Sequence, residues 1–437
     1  MKRIPSPFGL SIILTFVIAG VAFFFGNFDP KINKVIQLSI WWQTGFWDLL
    51  KFAMQMALMI LLGSMLANSR PVQKLINTIS DGINSGAQAV VVITFVAVIT
   101  ALLNWGLGLI VAATLCRLIA ERLSQRNIKI NYPLMGAAAY TGLMVWHGGL
   151  SGSAPLKIAE SGHRFEAISN IVGVKYTLLS GMNITVCILL LIALPAAAYV
   201  LNQFDSEAAT LALKNLTQKN TIQPPKAKEK TELLPKAFGF AMIITLIIYI
   251  GYSFSIGIHN VINPNTINMM LFAACLMLYP SLKSISSATS ASIDSSSGIL
   301  IQFPIYAGIM GIMAGSGMIM NLSNFFISIS DESSFPLLTL LSAGLVNCVV
   351  PSGGGQWAIQ GGVVLNAAQN ILGDNPESYG KAVMALAYGD ELTNMLQPFW
   401  AIPLLSITKL KASQILPYTL VFMSVGIVIY GTCLVLF

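Results

Sequence analysis

Apolar runs recur along the chain at about 8–26, 47–67, 176–201, 237–255, 267–282, 299–320 and 415–437, each close to the ~20 residues a helix needs to cross a bilayer. Between them lie four segments that are equally apolar but interrupted. The sharpest interruption follows Asn347: Pro351, Ser352, the triplet Gly353, Gly354 and Gly355, and Gln356 stand inside an apolar stretch from about 337 to 372. Proline and consecutive glycines disfavour a continuous helix there. The flanking arms, 337–350 and 363–372, are each too short to span about 30 Å of hydrocarbon at about 1.5 Å per residue. The pattern predicts two short helices meeting at a glycine tip, a re-entrant hairpin. Irregular backbone at membrane depth persists only where protein buries it or where it lines a watery cavity, so the tip is a candidate binding site.

The interruption has a counterpart. Thr94–Leu103 leads into Asn104, Trp105, Gly106, Leu107 and Gly108 and then a second apolar arm, which predicts a first hairpin over about 89–123. Downstream of this tip come Tyr132, then Tyr140, then a polar break from Trp146 and His147 through Ser151 and Ser153 to Pro155. Downstream of the second tip come Tyr379, then Tyr388, then a break at Gly389, Asp390, Glu391, Thr393 and Asn394, ending in Gln397 and Pro398. The order hairpin, tyrosine, tyrosine, break, proline recurs about 240 to 250 residues apart, as a duplication leaves it. The expected fold is an all-α polytopic membrane protein of two inverted repeats. Residues 1–201 carry the first hairpin and a broken helix at about 132–155. Residues 237–437 carry the second hairpin at about 337–372 and a broken helix at about 379–406, and a polar linker over 202–236 joins the two.

Composition narrows the class. Apolar residues make up 55% of the 437, charged residues 9%, and mean hydropathy is +0.74, outside the range of soluble domains. The net charge of +7 does not point to nucleic acid, because the basic residues sit in short clusters between apolar runs and not in a patch with interleaved aromatics. They serve as topology signals. Placing Lys2, Arg3, Arg70, Lys74, Arg117, Arg122, Arg126, Lys129, the linker lysines, Lys409 and Lys411 inside gives a multi-pass protein of the cell inner membrane with its N-terminus cytoplasmic and its C-terminus periplasmic. The second hairpin, flanked by Asp331, Glu332, Asp374 and Glu377, then enters from the side opposite to the first. The basic N-terminus resembles a signal peptide, but no small-residue cleavage site follows Phe25, so 8–26 reads as a first spanning helix. Five cysteines, each alone in an apolar run, imply neither metal nor redox chemistry.

Helices broken at mid-membrane offer free N–H groups suited to a carboxylate and free carbonyls suited to a cation. Gly353, Gly354 and Gly355 bare the backbone at one tip and Gly106 at the other, while Asn104, Ser151, Ser153, Ser352 and Gln356 add side-chain hydrogen bonds. These are the candidate substrate ligands, although any one polar side chain in a membrane helix serves as readily as packing glue. Asp390 and Glu391 are the only adjacent carboxylates in a predicted span. An ionised carboxylate there costs at least about 2.5 kcal/mol and so faces a cavity by default. Either the pair binds H⁺, or its oxygens hold Na⁺ together with Thr393 and Asn394, or one of the two caps a half-helix N-terminus. His147 is either a proton relay or a packing residue. No cofactor beyond such an ion is called for. No G-x-S-x-G, H-E-x-x-H or Walker motif occurs, and His147, His163 and His259 are scattered, so no enzyme is expected.

Several of these words carry a resemblance. Val350–Gly361 and Ala387–Ala401, with Phe46–Leu50 and Met54–Leu58, Asn104–Gly108, and Gly298–Leu300 with Gln302–Pro304 and Tyr306–Ile309, resemble the short-chain fatty acid transporter family over essentially the whole chain. The sequence departs from the family pattern at Gln356, where a His is common, and at Gly362, where a Pro is. The resemblance implies a bacterial carrier of acetoacetate, butyrate or similar monocarboxylates within the ion-transporter superfamily, whose members have two opposed hairpins, a dimerising scaffold and an elevator-like transport domain. The expected function is import by H⁺ or Na⁺ symport with alternating access. The expected partners are a small carboxylate, the lipid bilayer and a second copy of the chain, with no nucleic acid. The alternatives are a di- or tricarboxylate carrier of the same superfamily and a passive anion channel. No Lys or Arg lies within either tip or break, which favours a substrate with a single negative charge.

Overall fold

The structure, a computed structural model, describes residues 7–48, 50–204, 231–255, 264–397 and 399–437, and among these every regular element is a helix. Helices α1 (Pro7–Phe25), α2 (Lys34–Asp48), α3 (Leu50–Ala67) and α4 (Arg70–Asp81) precede the first hairpin, α5 (Gly86–Leu103) and α6 (Trp105–Gln125). α7 (Tyr132–Tyr140) gives way to 3-10 turns at Thr141–Met144 and Trp146–Gly148, followed by α8 (Ser153–Lys157), α9 (Glu166–Ser169) and α10 (Gly181–Phe204). The second half opens with α11 (Leu233–Ser255), α12 (Pro264–Leu278), α13 (Leu282–Ser292), α14 (Ser297–Gly315) and α15 (Met318–Ser328). The second hairpin is α16 (Phe335–Asn347) and α17 (Gly353–Ile371), and α18 (Pro376–Thr393), α19 (Ile402–Thr408) and α20 (Ala412–Leu436) follow it.

Among the described residues five helical stretches are long and apolar enough to cross a bilayer: Lys34–Leu66, α5, α10, α11 and α20. The α14–α15 pair, bent by 59°, makes a sixth if counted as one span. The chain is thus an all-α polytopic membrane protein. Its helices sort into two groups, each drawing on both halves of the sequence. In the outer group α2 crosses α14 where two glycines meet: a Cβ on Gly45 would lie 2.7 Å from the Gly311 Cα, and one on Gly311 would lie 2.9 Å from the Gly45 Cα. Only small residues let two helix backbones approach so closely. Beside them α3 lies on α12, with the Tyr279 hydroxyl donating to the Met65 carbonyl at 2.8 Å and the Asn268 amide to the Gln55 carbonyl at 2.8 Å.

The inner group surrounds the breaks, and the repeated tyrosines tie its halves together. Tyr132 donates to the Thr408 carbonyl (2.7 Å) and Tyr379 to that of Ile168 (3.1 Å). Tyr140 donates to the Asn394 carbonyl (3.0 Å), the start of the second break. Tyr388 donates to Asn183 Oδ1 (3.1 Å), and the amide of Asn183 donates in turn to the Gly148 carbonyl (3.0 Å), in the first break. Each tyrosine of the recurring pattern therefore reaches into the other half of the chain.

Several expected boundaries move. Gly353, Gly354 and Gly355 are the first turn of α17 and not an irregular tip. Ser352 caps that turn by accepting the Gly355 N–H at 3.2 Å, and a cap of this kind, worth about 1 kcal/mol, starts a helix where propensity alone would not. The second arm therefore runs for 19 residues from Gly353, and of the four hairpin arms only α16, with 13 residues, is short. Gly389, Asp390 and Glu391 likewise lie inside α18, and the break opens at Asn394. Gly389 sits in that helix because α18 presses on α16: a Cβ there would lie 2.8 Å from the Ala343 Cβ and 2.9 Å from the Gly344 N. Both carboxylates belong to the last turn of α18 and so begin no helix of their own. The run at 47–67 continues a helical stretch that starts at Lys34, and the run at 299–320 bends at Gly317, whose φ is +71°. Most of the expected linker, residues 205–230, lies outside the described residues, as does Pro398; the linker's ends belong to α10 and α11.

Candidate functional site

At the first tip one residue ends α5 and begins α6. Asn104 leaves helical geometry, and its Oδ1 accepts the N–H groups of Gly106 (2.9 Å) and Leu107 (3.1 Å). Ser151, arriving from the first break, accepts the N–H of Trp105 at 3.0 Å. The break itself leans on the end of α5, with the Leu150 N–H donating to the Leu102 carbonyl at 2.7 Å. The opening donors of α6 are thus satisfied by protein.

The second tip is completed differently. Ser352 Oγ takes the Gly355 N–H, and among the described residues no acceptor takes those of Gly353 and Gly354, which stay open at the start of α17. At the end of α16 the buried Asn347 amide donates to the Asp390 carbonyl (2.6 Å), Thr393 Oγ1 (3.0 Å) and Asn394 Oδ1 (3.1 Å). Gln397 donates to the Asn347 carbonyl at 3.2 Å. The oxygens Asn347 Oδ1 and Gln397 Oε1 are buried and accept no hydrogen bond.

Both carboxylates are buried, Asp390 at 0% exposure and Glu391 at 1%, yet their surroundings differ. Glu391 accepts the backbone N–H of His147 at 2.9 Å and the Tyr430 hydroxyl at 3.1 Å. That hydroxyl also contacts the Met144 carbonyl. Neither oxygen of Asp390 has a hydrogen-bond partner; the closest basic group is His147 Nε2, 3.4 Å from Oδ2. The His147 ring is fully buried, and its Nδ1 accepts the Ser153 N–H at 3.2 Å. A histidine in the first break thus meets the acid pair of the second broken helix across more than half the sequence.

A cavity of 490 Å³ opens beside this junction, within the about 300–1,000 Å³ usual for small-molecule clefts. Of the expected substrate ligands, Asn104, Ser151, Ser153 and Gly354 line it. Trp105, Trp357 and Phe165 wall it, the last two edge to face at 5.3 Å. Lys157, Glu160, His163 and Arg164 complete the lining. Lys157 pairs with Glu160 at 2.8 Å, and the Arg164 guanidinium lies over the Phe165 ring at 5.8 Å. These residues follow the first break and were not among the expected ligands; no local motif separates them from an ordinary polar loop.

The other expected residues sit in the surrounding packing. Gly106 faces Met59, whose Sδ would be 2.8 Å from an added Cβ, and Gly353 faces the His147 ring, whose Cε1 would be 2.7 Å away. Gly355 packs on Ser352 and Met310. Gln356 is buried and donates to the Ala343 carbonyl (2.9 Å) and Gln360 Oε1 (3.0 Å), fastening α17 to α16. Thr393 donates to the Gly344 carbonyl at 2.9 Å and joins Asn394 in the network around Asn347.

A bundle of membrane-crossing helices with a polar site built from broken segments and hairpin tips is the frame of a membrane transporter. The short-chain fatty acid transporter family matches the chain over residues 1–437, and the chain belongs to that family, one of transporters and not of enzymes. It is 37% identical over 444 residues to an Escherichia coli K12 protein named "Putative short-chain fatty acid transporter", covering 100% of this chain and 97% of that one. A Haemophilus influenzae protein of the same name is 35% identical over 429 residues, covering 95% and 93%. Among solved structures the chain is loosely similar to the YdaH transporter of Alcanivorax borkumensis, with a TM-score of 0.45, 14% identity and 98% of both chains covered. It is as loosely similar to MtrF of Neisseria gonorrhoeae, whose structure is described with a class of antimetabolite efflux pumps, with a TM-score of 0.45, 13% identity and coverage of 98% and 95%.

Two glycine substitutions separate the cavity from the packing around it. A Cβ at Gly354 would meet nothing within 4 Å, so Gly354→Val is expected to abolish uptake by filling the cavity while leaving membrane abundance and melting temperature near wild type. Gly389→Val, which drives α18 against α16, is expected to cost about 1–3 kcal/mol of stability and to lower the melting temperature in detergent. Normal uptake by Gly354→Val would remove the cavity from the transport path.

Proposed function

We propose that the chain is a secondary active transporter that imports short-chain fatty acids such as butyrate or acetoacetate across the inner membrane, by H⁺ symport with alternating access. The observation that carries this reading is one juxtaposition: an open helix start at Gly353 and Gly354, beside a cavity, stands one imidazole away from a buried carboxylate with no hydrogen-bond partner. The substrate carboxylate takes the N–H groups at the start of α17, where the helix dipole favours negative charge. Its short apolar tail lies against Trp105, Trp357 and Phe165. Asp390 supplies the coupling: a buried acid without a cation or a donor is costly when ionised, so it takes up a proton with the substrate and releases it at the other face.

A second reading of the ion rests on a separate observation. Asn347 Oδ1 and Gln397 Oε1 are buried acceptors without donors, in the network that holds Thr393, Asn394 and the Asp390 carbonyl, and oxygens of this kind suit a hard cation such as Na⁺. Arg164 and Lys157 also bear on the substrate. They bring positive charge to the cavity that the tips and breaks lack, and so support a di- or tricarboxylate as the alternative substrate. The reciprocal tyrosine bonds support the duplication, and with the flanking charges they support inverted repeats whose hairpins enter from opposite sides. The outer helix group is the natural scaffold for a homodimer.

Uptake of labelled butyrate into proteoliposomes under a pH gradient or a Na⁺ gradient tests the reading. A pH gradient alone is expected to drive saturable accumulation with counterflow, and a passive channel would show neither saturation nor counterflow. Asp390→Asn is expected to lose accumulation while keeping part of the exchange of labelled for unlabelled butyrate. Wild-type accumulation by both Asp390→Asn and Glu391→Gln would place coupling elsewhere. For the orientation, cysteines replacing Gln125 and Glu332, exposed residues at the bases of the two hairpins, are expected to react with impermeant reagent from opposite sides; reaction of both from one side would refute the inversion.

A further inference from the structure

The imidazole of His147 stands between the cavity and the acid, and its hydrogen-bond pattern determines what it can do there. Nδ1 accepts the Ser153 N–H at 3.2 Å, so that nitrogen carries a lone pair and the ring hydrogen sits on Nε2. Nε2 lies 3.4 Å from Asp390 Oδ2, and neither atom makes a hydrogen bond. Both side chains are fully buried. On the other side the same ring edge lies against the first residue of α17: a Cβ on Gly353 would be 2.7 Å from Cε1 and 2.8 Å from Nε2. One ring therefore touches the coupling acid, the backbone at the cavity and the tip where the substrate anion is received.

The turn bearing His147 packs against α5, α8, α10 and α18. From α18 it is faced by Tyr388, Asp390 and Glu391. From α10 comes Cys187, whose Sγ is 4.0 Å from the Gly148 carbonyl. α8 contributes Lys157, held at the cavity edge by Glu160, and α5 contributes no titratable residue. Tyr430 of α20 reaches the site through Glu391. Among the described residues no Lys or Arg pairs with either acid, so His147 Nε2, 3.4 Å from Oδ2, is the basic group at Asp390.

Building on the proton-coupled reading above, we propose that His147 is the positioning residue of the coupling acid: locked with its hydrogen on Nε2, it holds ionised Asp390 and links the state of that acid to the second hairpin tip. The exchanged proton comes from water, binds an Asp390 oxygen and returns to water, while the ring keeps its own hydrogen throughout. When Asp390 is ionised it draws Nε2–H towards itself and away from Gly353. When Asp390 is protonated that pull weakens, the ring edge relaxes towards the start of α17, and the N–H groups of Gly353 and Gly354 are presented to the anion.

Butyrate exchange across a pH series, in wild type, His147→Gln and His147→Asn, tests this. A glutamine amide reaches the Nε2 position and keeps a donor to Asp390; an asparagine amide keeps the acceptor for Ser153 and loses that donor. His147→Gln is expected to keep the wild-type pH of half-maximal exchange. His147→Asn is expected to move it about one unit to the alkaline side, the direction given by loss of a donor to a carboxylate. A merely structural histidine would lower the rate of both variants and leave that pH in place. An unmoved pH in His147→Asn, with wild type still pH-dependent, overturns the role of His147 alone, whereas pH-independent wild-type exchange overturns the proton-coupled reading as well. If His147→Asn does not reach the membrane, nitrogen NMR of ¹⁵N-histidine in wild type decides, assigned with His163 and His259 replaced. Hydrogen on Nε2 and none on Nδ1 throughout the transport range is expected, and an imidazolium or the Nδ1–H form in that range overturns the proposal.

Discussion

The Glu391 carboxylate holds the two broken segments together. It accepts an N–H from the His147 turn and the hydroxyl of Tyr430, and a hydrogen bond inside a protein contributes about 0.5–1.5 kcal/mol net. The N–H it takes belongs to backbone that no regular helix can satisfy. A break inside a bilayer leaves several such groups, and with no water at that depth the protein must supply each partner itself. Asn104 and Ser151 serve the start of α6, Asn183 the Gly148 carbonyl, Tyr140 that of Asn394 and Gln397 that of Asn347. Tyr140 and Glu391 serve breaks in the opposite half of the chain, and the other partners come from the same half. Each break therefore takes part of its hydrogen bonding from the other.

Against that background the proposed function rests on groups left over. Among the described residues, two N–H groups at the start of α17, the Asp390 oxygens, Asn347 Oδ1 and Gln397 Oε1 have no hydrogen-bond partner, and the buried Trp146 Nε1, His147 Nε2, Gln356 Oε1 and Asn394 Nδ2 beside them have none either. The N–H groups call for an anion. The oxygens call for a proton or a cation. The His147 ring lies between Gly353 and Asp390, and in the proposal it makes the occupancy of one site felt by the other without a long chain of contacts. Gly389 lets α18 approach α16 closely beside this centre.

The breaks were legible in the sequence because proline, glycine and carboxylates inside an apolar run are too costly to be incidental. The tyrosine pattern was legible because it recurs. Where the helices actually start and stop was not. The glycine triplet reads as a breaker by propensity, but a single hydroxyl cap at Ser352 makes it the first turn of α17, and Gly389 reads as a break but is a contact point for α16. His147 sat beside a conspicuous Gly-Gly pair, yet its partner is a carboxylate more than two hundred residues away, and nothing local points across that gap. Lys157 and Arg164 were hidden for the converse reason, since a polar segment after a break looks like any solvated loop until the cavity is seen.

The most direct test of the central claim, that anion binding and the charge of Asp390 are linked, counts protons during binding without any membrane. Purified protein in weakly buffered detergent receives saturating butyrate while an indicator reads the pH. Wild type is expected to take up about one proton for each butyrate bound, the linkage between the two equilibria, and Asp390→Asn to bind butyrate with no proton change. Saturable binding by wild type without proton uptake, or the same uptake in Asp390→Asn, would contradict the account.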